Sequence, residues 1–152
     1  VVGWLGPLGA DQDFMYSDRA IEVKAIEPGA ESVIISSLEQ LDCSVQLNLV
    51  LATLRQASPG EGGAVGLNDL TATIEGLIAY SPEALAVFKD RLLESRYVEH
   101  DFYETVLFES VSLFSYRVED AFPKLLRDMT PTGIIKASYA LDINFIANFL
   151  DD

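Results

Sequence analysis

The stretch Ala20-Ile21-Glu22-Val23-Lys24-Ala25-Ile26 alternates apolar and charged residues with a period of two, the pattern of a β-strand. Ile21, Val23 and Ala25 fall on one face and Glu22 and Lys24 on the other, so a carboxylate and an ammonium point the same way. Upstream, Gly6-Pro7, the polar Asp11-Gln12-Asp13 and the aromatic Phe14 and Tyr16 predict a turn leading into a short strand. Downstream, Pro28-Gly29 makes a turn, and Ser32 to Ser36, with Val33-Ile34-Ile35, forms another β run that is expected to fold back as a hairpin. Ser37 predicts the cap of a short helix from Leu38, with Gln40 in its first turn. Gln46 to Leu54 then resumes a strand, with Leu47, Leu49 and Leu51 on one face. Val50 and Ala52 on the other face predict a central strand buried on both sides.

Ser58-Pro59-Gly60-Glu61-Gly62-Gly63 is the one Gly-rich segment. It divides a single domain, 1–152, into a β-rich core (1–57), a loop (58–66) and a mixed α+β part (67–152). Leu67, Leu70, Ile74, Leu77 and Ile78 share a helical face, with Asn68 as the expected cap. Ser81-Pro82-Glu83 opens a second helix, whose buried stripe is Leu85, Phe88 and Leu92. From Tyr103 to Val118 the period falls to two, which predicts a hairpin broken near Glu109-Ser110. Ile135, Ala137, Tyr139 and Leu141 predict a last strand, and Asp142 caps a terminal helix carrying Phe145, Ile146 and Phe149. The order ββββ, αα, ββ, β, α is that of an α/β or α+β sheet protein.

A hydrophobic content of 49% with 22% charged residues over 152 residues excludes a disordered chain. Ten Lys+Arg against 24 Asp+Glu leave a net charge of −14, the opposite of the basic footprint of an autonomous, tight DNA binder. Cys43 has no partner for an internal disulfide, and with His100 as the single histidine no Cys/His zinc cluster can form, which predicts a reducing, cytoplasmic setting. Leu47 to Leu54 and Ile143 to Leu150 fall short of the roughly 20 apolar residues of a membrane span. The N-terminus has no charged leader, and because the chain begins at Val1 without Met, part of the native N-terminal region is expected to precede it.

One grouping has a chemical logic beyond packing. Asp13 stands near one strand while Glu22 and Lys24 share a face of the next, so a hairpin can gather two carboxylates and one ammonium. Two carboxylates on rigid elements suit a Mg²⁺ ion that keeps much of its water shell. A lysine beside them can orient the attacking water and offset charge on phosphorus oxygens, which are the needs of phosphodiester hydrolysis. Glu-x-Lys itself recurs by accident about once in 300 positions. The alternative for Glu22 and Lys24 is a plain ion pair on a solvated strand.

The surrounding residues narrow this choice. Gly3-Trp4-Leu5-Gly6-Pro7, Asp13-Phe14, Ile21-Glu22-Val23-Lys24-Ala25, Val33-Ile34-Ile35-Ser36-Ser37 and Gln40-Leu41 resemble, in that order, a bacterial PD-(D/E)XK family of the DUF4420 type. Phe122-Pro123-Lys124-Leu125 and Tyr139 extend the likeness over nearly the whole chain. The resemblance implies an α/β fold with a restriction-endonuclease-like mixed sheet flanked by helices, here with a C-terminal α+β extension. It implies Mg²⁺, with Mn²⁺ as substitute, held by Asp13, Glu22 and Val23. Lys24 would activate water, and Gln40 would touch the scissile phosphate or hold Lys24, the alternative for Gln40 being a helix-start hydrogen bond.

The implied activity is Mg²⁺-dependent hydrolysis of DNA in a restriction or phage-defence context, with DNA and other defence proteins as partners and no membrane. The alternative is an inactive nuclease-fold module that binds proteins of a defence complex. Two departures from the family pattern stand out. Gln12 replaces the Pro of the literal motif, and the N-terminal helix whose glutamate adds a metal ligand would lie before Val1.

Other candidates carry less. Ser36-Ser37 with His100 lacks a Gly-x-Ser-x-Gly elbow, and the Gly60 to Gly63 loop lacks the Lys-Ser/Thr of a phosphate-binding loop. Trp4, Phe102, Tyr103, Phe108, Phe114 and Tyr116 have few cations between them, unlike a base-stacking platform. Lys89, Arg91 and Arg96, with Lys124 and Arg127, form either a local DNA-facing patch or a solvated face. Asp151-Asp152 reads as solubilising.

Overall fold

The alternation around Glu22 does make a strand, and its neighbours decide where the site lies. In the computed structural model, which describes residues 1–151, the first half runs β1 (Phe14–Met15), β2 (Arg19–Ile26), β3 (Ser32–Ile35) and β4 (Gln46–Ala57). There follow α1 (Leu67–Ile78), α2 (Pro82–Glu94), α3 (Phe102–Thr105), β5 (Leu107–Arg117), β6 (Tyr139–Asp142) and α4 (Ile143–Ile146). The main sheet has the order β1-β2-β4-β5. β1 pairs antiparallel with β2, β2 parallel with β4, and β4 antiparallel with β5. The molecule is thus a mixed α/β protein whose mixed sheet is flanked by helices, consistent with a PD-(D/E)XK nuclease-like fold.

A parallel pair requires a long crossover. Residues 27–45 supply it between β2 and β4, and β3 lies within it. The expected β2–β3 hairpin does not form: β4 pairs along the whole of one edge of β2, while β1 takes Ala20 and Ile21 and the Asp13 carboxylate takes the Val23 N–H on the other. β3 pairs instead with β6 from the far end of the chain, Val33 opposite Leu141, as a separate two-stranded sheet. The expected helix from Leu38 is also absent. Residues 37–41 form a bend and turn, closed by the Asp42 N–H donating to the Glu39 carbonyl at 3.0 Å, with Leu38 and Leu41 as buried anchors.

β4 is central, as expected, but asymmetric. Leu47, Leu49 and Leu51 are buried and meet Val33, Ile35, Leu41, Tyr116, Phe122, Leu141 and Ile146 in the core, whereas Val50 and Ala52 are only half-buried. β5 is one strand and not a broken hairpin. Thr53 faces Ser112 while Leu54 faces Ser110, so Val111 is an extra residue in a β-bulge, which interrupts the alternation near Glu109-Ser110. Tyr103, assigned to that hairpin by pattern, lies in α3. Ile135 and Ala137 precede β6, which starts only at Tyr139.

The helix signals fared unevenly. Ser81 caps α2, its Oγ accepting from the Ala84 N–H at 3.3 Å, and Phe88 is buried. Asp142 caps α4, its Oδ1 accepting from the Asn144 and Phe145 N–H groups, although Phe145 itself is exposed. Gly66, not Asn68, is the N-cap of α1. Asn68 instead donates to the His100 carbonyl and accepts from the Tyr97 hydroxyl, tying α1 to the segment after α2. Among the described residues no helix is long and apolar enough to cross a membrane.

Candidate functional site

Paired residues on neighbouring strands share a face. Glu22 stands opposite Leu49 and Lys24 opposite Leu51, while Leu49 in turn faces Tyr116. The charged face of β2 is therefore the face that carries the buried leucines. Glu22 is 3% exposed, so the solvated ion pair is excluded. The pair itself exists, with Lys24 Nζ at 3.0 Å from Glu22 Oε1.

Burial beside Leu49 and Tyr116 pushes the Glu22 carboxyl above its ordinary value, and the negative charge of Asp13 adds to the rise. The Lys24 ammonium opposes it without prevailing. Because the fold holds the Glu22 proton more tightly than the unfolded chain does, protonation contributes stability that is complete below the ordinary carboxylate value, about 4.3. That contribution disappears as pH rises through the raised folded value. Glu39, Glu61 and Asp151 are shifted the other way by hydrogen bonds, so their contributions are lost only as pH falls through their lowered folded values. Relative to Glu22→Gln, the metal-free wild type is expected to gain stability as pH drops from neutral towards about 4.5. Urea denaturation across that range measures the difference, and a flat or rising difference with pH would remove the premise of a strained Glu22.

Asp13 lies just before β1, against the exposed edge of β2. Its Oδ2 accepts from the Val23 N–H at 2.9 Å, where a β1 partner would otherwise bond. The N–H and C=O of a strand residue leave the chain on the same side, so the Val23 carbonyl points towards that edge as well. Room for the Asp13 carboxylate depends on Gly6, where a Cβ would meet Asp13 Oδ1 at 2.6 Å. The Leu5 and Gly6 N–H groups both donate to the Asp13 carbonyl, at 2.8 and 3.0 Å, which fixes this approach. Asp13, Glu22, Val23 and Lys24 are thereby gathered on one edge.

Gln40 joins them from the crossover. Its Oε1 accepts from Lys24 Nζ at 3.0 Å and from the Ser36 N–H at 2.7 Å. Lysine has three N–H donors, and Glu22 and Gln40 take two, leaving one for a water or phosphate oxygen. Lys24 also lines an open surface cavity of about 350 Å³ between the end of β2 and β3, with Glu27, Ser32 and Val33 among its walls.

The donor set fits a hard divalent cation. Asp13, Glu22 and the Val23 carbonyl are the oxygen atoms that would hold it, and Mg²⁺ takes few protein ligands because it keeps several waters. Among the described residues no group of three or more His, Cys, Asp or Glu side chains is placed to hold a metal. Burial first, and the charge of Asp13 after it, raises the Glu22 carboxyl, and a bound cation would favour its ionised form.

The other sequence candidates are dispersed. His100 Nδ1 accepts from the Phe102 N–H in the turn before α3 and serves that turn. Arg91 Nε donates to the Trp4 carbonyl, and Arg96 lies past the end of α2 in a left-handed conformation, so of the three only Lys89 and Arg91 are on that helix. Arg127 pairs with Glu39 and donates to the Ile134 and Ile135 carbonyls. The aromatic residues split between buried Tyr116, the Trp4–Phe88 contact and exposed Phe102 and Phe114.

Two participants escaped the sequence analysis. Gly6 was read as part of a Gly-Pro turn and not as a site residue, since the need for it arises only where the 5–6 turn meets Asp13. Gln12 was visible only as a missing Pro, yet it is 5% exposed and its carboxamide donates to the carbonyls of Glu39, Gln40 and Asp42.

Comparison with curated proteins and with solved structures gave no match. Comparison with protein families gave one, over residues 1–144, nearly the full length, and spanning Asp13, Glu22, Lys24 and Gln40. On that match, the chain belongs to the family described as "Putative PD-(D/E)XK family member" (DUF4420).

Proposed function

We propose that this chain carries the centre of a Mg²⁺-dependent DNA endonuclease, acting in the cytoplasm of a bacterium in restriction or phage defence. The observation that carries the proposal is the network of buried Glu22 with half-buried Lys24 and Gln40, set beside the Asp13 carboxylate on one strand edge. Buried charge of this kind is costly, and a solvated strand has no use for it. Family membership supports nuclease chemistry of the same type.

In this scheme Asp13, Glu22 and the Val23 carbonyl hold the divalent ion, which when bound polarises the scissile phosphate and acidifies water. Lys24 directs its third N–H at the attacking water and offsets charge growing on the phosphorus oxygens. Gln40 keeps the ammonium from collapsing wholly onto Glu22, because it competes for the same proton donors. DNA is the substrate class.

The test combines calorimetry and plasmid cleavage on the full chain. Mn²⁺ is expected to bind the wild type, and Asp13→Asn to weaken binding by at least about tenfold while abolishing nicking with Mg²⁺ or Mn²⁺. A wild type that binds Mn²⁺ no better than Asp13→Asn refutes the proposal.

The net charge of −14 favours a second reading, in which the fold serves as an acidic interaction module in a defence complex. Co-purification with a basic partner, in the absence of both metal binding and cleavage, would support that reading.

A further inference from the structure

We infer that Gln12 is a positioning residue for this centre: its buried carboxamide clasps the 39–42 turn and thereby locks Gln40 between the Lys24 amine and the Ser36 N–H. Buried Leu38 and Leu41 anchor the turn, but they offer its carbonyls no partners. Its one internal backbone bond is Asp42 N–H to the Glu39 carbonyl, and it belongs to no strand or helix. Gln12 Nε2 lies 2.9 Å from the Glu39 carbonyl, 3.2 Å from that of Asp42 and 3.4 Å from that of Gln40. Two N–H protons shared among three converging carbonyls form a bifurcated clasp, which a Pro at this position, with no side-chain donor, cannot make.

The clasp acts at a short remove from Lys24. Gln40 Oε1 is fully used, by Lys24 Nζ and by the Ser36 N–H, so a displacement of its backbone breaks both bonds. On the other side of the turn Arg127 grips Glu39, so the turn is held from two directions. Gln12 also adjoins Asp13, whose carboxylate bonds the Val23 N–H. One dipeptide therefore fixes both the carboxylate at the strand edge and the partner of the lysine. The catalytic consequence rests on the nuclease proposal, whereas the clasp does not.

Amide hydrogen exchange in the full chain, without metal or DNA, separates the two. Gln12→Met keeps the volume of the side chain and removes the donors. It is expected to accelerate Ser36 amide exchange at least about tenfold while leaving the β4 amides unchanged. Gln40→Met is expected to match that acceleration, and the double variant to add little to either. Unchanged Ser36 exchange in Gln12→Met, or an equal acceleration of the β4 amides, overturns the inference.

Should Gln12→Met fail to fold, the wild type still decides. A scalar coupling through the hydrogen bond from Gln12 Nε2 to the Glu39 carbonyl carbon is expected, and its absence overturns the clasp. With Mn²⁺ and plasmid, Gln12→Met is expected to lower kcat about tenfold at unchanged Mn²⁺ affinity. Unchanged kcat alongside accelerated exchange would overturn the catalytic part. An inert wild type refutes the nuclease proposal alone.

Discussion

Lys24→Ala is expected to keep Mn²⁺ binding and to lower plasmid cleavage by about 10²–10⁴-fold, the range for loss of a positioned proton-transfer or charge-stabilising group. Lys24 is not among the proposed ligands, so removing its positive charge leaves the carboxylates free and Mn²⁺ affinity is expected to hold or rise. A parallel fall in metal affinity would make Lys24 part of the metal site and reject its role with water.

The same substitution carries a structural cost. Glu22 is buried, and Lys24 is its charged partner at 3.0 Å. Removing one member of a buried pair costs about 3–5 kcal/mol when the other must stay charged. Glu22 need not stay charged, because its carboxyl already lies above the ordinary range and can take up a proton. Most of the loss in Lys24→Ala is therefore expected near neutral pH and is recovered on acidification, which urea denaturation at two pH values reads directly. A loss independent of pH would mean that the lysine stem, and not its charge, supports β2.

How much of this was legible in the sequence differs by element. β2 and β4 could be read because their alternation is local: side-chain periodicity needs no partner. The capping residues Ser81 and Asp142 were legible for the same reason, each acting on N–H groups two or three residues ahead. Pairing was not legible. β3 and β6 are about a hundred residues apart in the chain, and the sequence around Pro28-Gly29 suits a hairpin, whereas β4 takes one edge of β2 and β1 with Asp13 takes part of the other. The bulge at Val111 misled the period because one extra residue reverses every face that follows, and at Tyr103 the apparent alternation belongs to a short helix.

At the site, Asp13, Glu22 and Lys24 were singled out by type and spacing, and the fold brings them to one edge. What spacing did not reveal was the direction of the face. Alternation alone puts charges outward, yet the parallel register with Leu47, Leu49 and Leu51 turns Glu22 inward. For Gln40 two roles were open, a hold on Lys24 or the phosphate and a backbone hydrogen bond at a helix start; its Oε1 accepts from both Lys24 Nζ and the Ser36 N–H, on a turn and not on a helix. Gln12 and Gly6 depend on contacts from other segments of the chain, which no local pattern encodes.

Leu49→Ala is expected to destabilise the fold by about 2–5 kcal/mol, the cost of deleting a fully buried leucine whose surroundings cannot collapse into the space. Leu49 is 0% exposed at the centre of the sheet, flanked by Glu22 on β2 and Tyr116 on β5. Neighbours held by strand pairing on both sides cannot move inward far, which places the loss towards the upper part of that range. The cavity adjoins a carboxylate, so it can admit a water that a purely apolar void would exclude. Hydration of Glu22 would remove part of the desolvation that raises its carboxyl, and the pH-dependent part of stability seen in the wild type is expected to shrink in Leu49→Ala. Leu49→Met, which nearly conserves volume, is expected to cost less than about 1.5 kcal/mol and to leave that pH dependence in place. Should Leu49→Ala lose stability while its pH profile stays that of the wild type, Leu49 would be core packing alone, and the raised Glu22 carboxyl would have to be credited to the Tyr116 side of the row and to Asp13.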